Sequence, residues 1–221
     1  MNRKQTDAED VERGVGFAAP LLMTKRLLLA VPSPREAKGI AAIADNPRVA
    51  AMLATMPHPY SVDDALTWIA RCRDDREDGN GFAIYLRDRP DAVIGACGFG
   101  RSDGEETPEL GYWLGEPYWG RGFATEAAQA VVDFAFETSC FDAIACACRV
   151  TNPASRRVIE KCGFQYRDAS MFHSLGAGGR VAAERYVLER KTWLGLKAWA
   201  RPDAAPPAGA VTGEEANHGL A

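Results

Sequence analysis

Two glycines separated by one residue, Gly120 and Gly122, stand between two different kinds of segment. Residues 109–114 have the length and composition of a short strand, and residues 123–136 repeat apolar side chains at helical spacing. The first backbone N–H groups of a helix have no partner within it and attract anions. Glycine lets a phosphate approach without a Cβ in the way. The turn therefore predicts a phosphate site, although an ordinary strand-to-helix connection would share the pattern.

A second group of polar residues opens a later helix. Asn152 precedes Pro153, which is a typical helix start, and Gly163 lies just past the predicted end. Ser155 falls in the first turn of this helix. Its hydroxyl could support the cap or donate a hydrogen bond to a molecule bound beside the helix.

Both stretches resemble motifs of the GNAT superfamily of acetyl-CoA-dependent N-acetyltransferases. The core of motif A, Arg/Gln-x-x-Gly-x-Gly/Ala, falls on Trp119-Gly120-Arg121-Gly122-Phe123-Ala124, with Trp119 departing at the first position. Together with Gly-Tyr-Trp-Leu before it and Ala-Thr-Glu-Ala after it, this block resembles the branch of the ribosomal-protein N-terminal acetyltransferases. Residues 152–164 are similar to motif B, and a weaker match begins at Pro59-Tyr60-Ser61. The resemblance covers about residues 21–190, and three ordered matches are more specific than one.

The resemblance implies an α+β fold with a mixed, mostly antiparallel sheet of seven strands. This sheet is splayed between strands four and five and flanked by four helices. The strands are predicted at residues 24–31, 82–86, 92–99, 109–114, 143–150, 164–174 and 181–190. The helices are predicted at residues 34–44, 61–75, 123–138 and 153–162. Residues 1–20 and 199–221 are predicted to be flexible or disordered tails of one domain at 21–198.

Acetyl-CoA is the co-substrate that the resemblance implies. Its diphosphate is expected at the backbone amides of residues 120–125, helped by Thr125 and by Arg121, which could equally be a solvated turn residue. Its pantetheine arm is expected to pair with strand edges at the splay, where a backbone N–H near Trp113 or Leu114 would stabilise the oxyanion. Cofactor contacts are predicted at Trp113, Leu114, Trp119, Gly120, Arg121, Gly122, Phe123, Ala124, Thr125, Asn152 and Ser155, and no metal is predicted.

Acetyl transfer to an amine needs one group that takes the ammonium proton and another that stabilises the leaving thiolate. The resemblance implies Glu109 as the catalytic base, and a solvent-facing carboxylate at a strand end is the equal alternative. The tyrosine that many relatives place seven residues after the motif B asparagine is replaced here by Ile159. Ser155 is the substitute that this branch implies, donating a hydrogen bond to the thiolate.

The acceptor pocket is predicted at the loop of residues 56–60 and at several ring-bearing side chains. Aromatic residues of a small domain belong more often to the core than to a pocket. His58 and His173 could also act as bases, but a lone histidine is more often structural or exposed. The predicted substrate-binding residues are His58, Tyr60, Trp68, Tyr85 and Phe99.

Composition limits the class of partners. A chain of 221 residues that is 47% hydrophobic can bury one sizeable core, and a net charge of −4 argues against a nucleic-acid surface. No apolar run approaches the ~20 residues that span a bilayer, and the N-terminus lacks a signal-peptide pattern. We therefore expect a cytoplasmic monomer or homodimer without nucleic-acid or membrane partners. The six cysteines are scattered, and the Cys146-x-Cys148 spacing does not fit a zinc site.

The sequence thus predicts an N-acetyltransferase that moves acetyl from acetyl-CoA to a primary amine by direct attack. The branch implies the α-amine of a protein N-terminus as acceptor. A small-molecule amine, such as an antibiotic or polyamine, is the alternative acceptor. A long acidic lining would favour a polyamine or an aminoglycoside, and only residues 103–106 suggest such a lining. A non-catalytic acyl-CoA-binding module is the rival class, supported by the missing tyrosine.

Overall fold

The computed structural model describes residues 18–74, 79–101 and 106–199. Eight strands form a single sheet: β1 Ala18–Met23, β2 Leu27–Val31, β3 Gly79–Leu86, β4 Arg89–Gly100, β5 Glu109–Leu114, β6 Ala143–Arg149, β7 Gln165–Ser174 and β8 Gly179–Glu189. Six α-helices accompany it: α1 Ala37–Ala44, α2 Pro47–Ala50, α3 Val62–Asp74, α4 Phe123–Thr138, α5 Pro153–Lys161 and α6 Arg190–Trp199.

The strand order is β1-β2-β3-β4-β5-β6-β8-β7. Every neighbouring pair is antiparallel except β5 and β6, which run parallel. The β5–β6 register consists of Glu109 opposite Ala145 and Leu110 opposite Cys146, after which the two strands diverge. This divergence confirms the predicted splay and leaves a wedge-shaped opening between residues 111–114 and 147–149.

Each face of the sheet packs its own apolar core. Helix α4 places Phe123, Val131 and Ala135 against the first core, which also holds Ile144 of β6 and Ile159 of α5. The second core lies on the other face, where α1 and α3 pack and Ile40 and Ile69 are buried. Because strand side chains alternate between faces, β5 contributes to both cores: Leu110 and Leu114 to the first, and Trp113 to the second.

The sheet has eight described strands rather than seven because β1 precedes the first predicted strand, residues 24–31, which covers only the turn and β2. Thr24 and Arg26 lie in the turn between β1 and β2, and the Leu27 amide donates to Thr24 Oγ1 at 3.0 Å. Strand β1 begins at Ala18, ahead of the predicted domain start at residue 21. Of the tails predicted at residues 1–20 and 199–221, residues 18–20 belong to β1 and residue 199 ends α6, and the remaining tail residues lie outside the described ranges.

The described residues form six α-helices rather than four, because the sequence predicts neither α2 nor α6. Helix α2 lies between the helices predicted at residues 34–44 and 61–75, where no helix is predicted, although Asn46 caps it in the usual way, with its side chain accepting from the Arg48 amide at 2.8 Å. Helix α6 follows β8 directly. Its Trp193 packs on Phe136 at 5.2 Å between ring centroids and donates from Nε1 to Asp133 at 2.8 Å.

Candidate active site

The hydrogen-bond parity of β5 decides which of its amides face the opening. The Gly115 amide donates to Ile94 of β4 at 2.9 Å, so odd-numbered residues of β5 bond to β4. Tyr112 and Leu114 therefore direct their backbone N–H groups away from β4 and toward the opening. Trp113 faces β4 through its backbone. Of the two predicted oxyanion donors, Leu114 is the one with the right direction.

Strand β6 supplies the other edge of the opening. The Ala145 amide donates to Pro108 at 2.9 Å, and the Val150 amide donates to Ala182 at 3.1 Å. Odd-numbered residues of β6 thus turn their backbone toward β5, so Ala147 and Arg149 face the opening where β5 has moved away. An extended, amide-bearing molecule can pair with both edges, which is the geometry that a pantetheine arm requires.

The turn before α4 leaves open space beside unpaired backbone N–H groups. Gly120 and Gly122 adopt φ values of 72° and 78°, a region that L side chains rarely enter, and a Cβ at Gly120 would meet nothing within 4 Å. Helix α4 begins at Phe123, and the Glu126 amide makes the first helical bond, to Gly122 at 3.2 Å. The N–H groups of residues 123–125 precede that bond and point out of the helix end.

Two arginines add positive charge beside this turn. The guanidinium carbons of Arg26 and Arg121 lie 4.6 and 4.8 Å from the centroid of the Phe123 ring. Arg26 also donates to the Arg121 carbonyl at 2.9 Å and pairs with Glu126 at 2.7 Å. Sequence reasoning missed Arg26, since nothing near it in the chain indicates a contact with the glycine turn.

Trp119 occupies the first position of motif A, where relatives have arginine or glutamine. Its indole Nε1 donates to the Leu114 carbonyl at 2.7 Å, and the Arg48 guanidinium lies 5.5 Å from its ring. The indole therefore ties the glycine turn to the end of β5, and it takes up the backbone oxygen that Leu114 would otherwise present to the opening.

Asn152 and Ser155 meet at the start of α5. The Ser155 amide donates to Asn152 Oδ1 at 3.0 Å, which confirms the predicted N-cap. The Ser155 hydroxyl lies 2.8 Å from the hydroxyl of Tyr112, whose single proton can be donated either to this hydroxyl or to the Ser155 carbonyl at 3.1 Å. Burial, above all, raises the pKa of Tyr112 far above its usual value, so Tyr112 keeps its proton. Sequence reasoning missed Tyr112 as a site residue.

Glu109 and Ser155 lie on opposite faces of the sheet. Tyr112, which contacts Ser155, packs against the first core, whereas Trp113 packs against the second. Glu109 has the same parity as Trp113 and therefore shares its face. The wedge between β5 and β6 connects the two faces, so a group bound there can be reached from the Glu109 side and from the Ser155 side at once.

A cleft of about 1750 Å³ runs through this opening and across the Glu109 face. Three predicted acceptor residues line it: Tyr60, Trp68 and Phe99. Burial and the nearby Asp64 raise the pKa of Tyr60 to about 12, so its hydroxyl is neutral at physiological pH. Met52, Leu53 and Met56 supply further apolar lining, so the loop contributes from an earlier point than predicted.

Two predicted acceptor residues and one alternative base lie elsewhere. Tyr85 is 1% exposed in the second core, and its hydroxyl donates to Glu36. His58 turns toward Asp45, with Nδ1 at 3.0 Å from Oδ1, and is not part of the cleft lining. His173 also lies outside the cleft lining, on β7. The presence of an aromatic or imidazole ring in the sequence therefore does not by itself indicate whether the residue lies in the core, on the surface or in the cleft.

The splayed mixed sheet and the glycine turn at the start of α4 agree with the fold and with motif A, both of which the GNAT resemblance implies. Residues 26–165 match the family described as acetyltransferase (GNAT) domain, and the chain belongs to this family. The chain is therefore an acetyl-CoA-dependent acetyltransferase with the GNAT fold.

Named relatives agree with this assignment. An uncharacterized N-acetyltransferase p20 from Bacillus licheniformis is 28% identical over 177 residues, which are 79% of this chain and 98% of that protein. A ribosomal-protein-serine acetyltransferase from Escherichia coli is 33% identical over 86 residues, 38% of this chain and 48% of that protein. The crystallised ribosomal L7/L12 alpha-N-protein acetyltransferase RimL, in complex with coenzyme A, superposes with a TM-score of 0.65 at 16% identity, covering 76% of this chain and 97% of RimL.

The described ranges contain neither a candidate membrane span nor a candidate metal site. None of the helices in residues 18–74, 79–101 and 106–199 is long and apolar enough to cross a membrane. The same residues hold no cluster of three or more His, Cys, Asp or Glu side chains that could bind a metal ion. The acidic segment at residues 103–106 lies mostly outside the described ranges.

Proposed function

We propose that this enzyme acetylates the α-amine of a protein N-terminus by direct attack on acetyl-CoA. The observation that carries the proposal is the opening between β5 and β6, with Glu109 on one face of the sheet and the Ser155–Tyr112 pair on the other. A thioester held in the opening would meet a base from one side and a hydrogen-bond donor from the other.

The residues around the opening fit acetyl-CoA. The N–H groups of residues 123–125, with Arg121 and Arg26 beside them, suit the diphosphate, and Arg157 and Lys161 line the cleft from α5 as further partners for phosphate. The edges of β5 and β6 suit pantetheine, and Asn152 retains its amide nitrogen for the same arm because only its oxygen serves the cap. When bound, acetyl-CoA supplies an acetyl group activated as a thioester.

Each catalytic role has one residue. Glu109 accepts the proton from the incoming ammonium on its face of the sheet. The Leu114 N–H donates to the oxygen that gains negative charge as the amine attacks. Ser155 donates a hydrogen bond to the departing sulfur, and Tyr112 holds the Ser155 hydroxyl in position.

The cysteines near the opening support direct attack rather than a covalent enzyme intermediate. Cys146 and Cys148 are buried, and burial is the main cause that raises the pKa of both thiols. A thiol with a raised pKa is a poor nucleophile at neutral pH. Acetyl transfer through either cysteine is therefore disfavoured, and the amine must reach the thioester itself.

The choice of a protein α-amine rests on the relatives whose names state that acceptor, the ribosomal-protein-serine acetyltransferase and RimL. The test is a thiol-release assay with acetyl-CoA and a panel of amines, followed by mass spectrometry of the products. Peptides with a free α-amine should be acetylated at that amine, whereas matched peptides with a blocked N-terminus and a free lysine should not. Turnover restricted to polyamines, aminoglycosides or other small amines would contradict the protein acceptor.

A further inference from the structure

The face of the sheet that carries Glu109 continues as an open floor over β6 and β8. In the register of these strands Glu109 lies opposite Ala145, which lies opposite Val187, so all three share this face. The other floor positions on the two strands include Ala143, Ala147 and Ala183, and all of these residues line the cleft. Single methyl groups leave the floor low enough for an extended chain to lie across it.

Arginine side chains surround this floor. Arg149, Arg167 and Arg185 line the cleft, and Arg185 is exposed on β8 opposite Ala147. Asp168 lies opposite Arg185 on β7 but does not line the cleft, and no ion pair between the two is present among the described residues. Arg149 donates to the Ala51 carbonyl and keeps its full positive charge, since a carbonyl does not neutralise it.

The acidic residues of the cleft already have partners or a role. A hydrogen bond from Lys191 at 2.8 Å, together with the more distant charge of Arg167, lowers the pKa of Glu189. Asp64 accepts hydrogen bonds from the Ser61 amide and hydroxyl, which hold its carboxylate in place without neutralising it, and Glu109 is the proposed base. Arg71 lines the same side of the cleft, so positive charge exceeds negative charge there among the described lining residues. A polycationic acceptor would be repelled from this lining.

We propose that the acceptor is a peptide N-terminus with an aspartate or glutamate at one of positions two to four, recognised by Arg185 and its neighbours. This inference rests on the proposed acetyltransferase function and specifies its substrate class. Val187 lies two strands across the sheet from Glu109, and Arg185 lies two residues along β8 from Val187. The Cα atoms of Glu109 and Arg185 are therefore separated by a distance on the order of 12 Å. An extended peptide advances about 3.3–3.6 Å per residue, so an acidic side chain at positions two to four can reach Arg185 when the α-amine is at Glu109.

The test compares three peptides that share their first residue and length and differ at positions two to four, which are acidic, neutral or basic. We expect kcat/KM to be at least tenfold higher for the acidic peptide than for the basic one, with a gap that narrows as salt is raised. The panel also includes an amine-bearing nucleotide, because the same arginines could bind a small anionic amine. Spermidine is included as a polycationic amine that the arginines should repel.

Charge reversal distinguishes recognition from a structural effect. In Arg185→Glu the ratio of acidic to basic peptide turnover should fall at least tenfold, because the basic peptide gains what the acidic peptide loses. Arg73→Glu is the matched control, since Arg73 is exposed on α3 and does not line the cleft. The control should keep the wild-type ratio.

Equal use of acidic and basic peptides, or a preference that survives Arg185→Glu, would overturn the inference. Preferential use of spermidine would do the same. Turnover of the nucleotide-linked amine alone, lost in Arg185→Glu, would overturn the peptide as the source of the charge. Absence of thiol release with every amine would contradict the proposed function itself.

Discussion

At the scale of single residues, Asn152 and Ser155 divide two tasks at the start of α5. The cap uses the Asn152 side-chain oxygen and the Ser155 backbone amide, 3.0 Å apart. The Ser155 hydroxyl takes no part in it and instead contacts Tyr112 at 2.8 Å. Removing this hydroxyl should therefore leave the cap intact, which separates a catalytic role from a structural one.

Tyr112→Phe tests whether Tyr112 acts through Ser155. Loss of a neutral hydrogen bond of about 0.5–1.5 kcal/mol should lower kcat about 2- to 12-fold without changing acetyl-CoA affinity. In a Ser155→Ala background the same substitution should have no further effect on kcat, because the hydroxyl that Tyr112 positions is gone. Equal effects in both backgrounds would show that Tyr112 acts independently.

At the scale of elements, β5 organises the site because its side chains alternate between faces while its amides alternate between neighbours. Glu109 and Trp113 serve one face, Tyr112 the other, and the Leu114 amide faces the opening. The strand then passes through the glycine turn into α4. One short segment thus carries the proposed base, the proposed oxyanion donor, the partner of Ser155 and the proposed anion site.

Gly122→Val tests the anion site at the start of α4. The side chain should crowd the bound phosphate and strain a residue with φ at 78°, weakening acetyl-CoA binding by at least ~1.4 kcal/mol, or tenfold. Gly178→Val is the matched control: Gly178 has φ at 67° in the β7–β8 turn, open space around its Cβ and no place in the cleft. Calorimetry on both folded variants should show weaker binding only for Gly122→Val, and equal affinities would remove the glycine turn from the site.

Glu126 joins the β1–β2 turn to the first turn of α4. Burial alone would raise its pKa, but hydrogen bonds from Thr24 at 2.6 Å and from Arg26 at 2.7 and 2.8 Å outweigh burial and lower it below the ordinary 4.5. A lowered folded-state pKa means that the carboxylate stabilises the fold above pH 4.5, and that this stability is lost as pH falls through the folded value.

Glu126→Gln should therefore cost about 1–2 kcal/mol of unfolding free energy at pH 7 and much less at about pH 3. Urea unfolding of wild type and variant at both pH values measures this difference. A cost that is the same at both pH values would mean that the carboxylate charge does not stabilise this junction.

At the scale of the whole molecule, α6 closes the first core from outside the catalytic region. Trp193 packs on Phe136, and Lys197 pairs with Asp133 at 2.5 Å. Leu196 approaches Gly163 so closely that a Cβ there would lie 2.4 Å from it. The helix thus packs against α4 and the end of α5, the two helices whose starts form the proposed cofactor site.

Two truncations test this arrangement. Deleting residues 200–221 should leave the melting temperature and acetyl-CoA binding unchanged, as the composition of that segment predicts. Deleting residues 190–221 removes α6 as well and should lower the melting temperature by roughly 5–10 °C. A large loss from the shorter deletion would show that the C-terminal segment contributes to the fold.

The sequence predicted the parts of the site that local patterns encode. The strand, glycine turn and helix around Gly122 are contiguous in the sequence, and two adjacent residues, Asn152 and Pro153, predict the cap of α5. The same logic could have found α2, because Asn46 and Pro47 form the same start as Asn152 and Pro153. Apolar periodicity does not indicate α2, because a helix of a single turn is too short to show it.

The contacts that the sequence did not predict join distant parts of the chain. Tyr112 and Ser155 are 43 positions apart, and Arg26 and Glu126 are 100 positions apart. Only the register of β5 and the packing of the β1–β2 hairpin bring them together. Tyr85 on β3 and Tyr60 in the loop before α3 both belong to the second core, and only the packing around them places Tyr60 at the cleft and Tyr85 away from it.

The central claim is that Ser155 stabilises the departing thiolate from one face of the opening. Steady-state thiol release by Ser155→Ala, with acetyl-CoA affinity and melting temperature measured on the same variant, tests it most directly. The loss of one hydrogen bond to a charged group, roughly 1.5–3 kcal/mol, predicts that kcat and kcat/KM both fall about 10- to 150-fold, while affinity and melting temperature stay near wild type. Wild-type turnover in this variant would contradict the account.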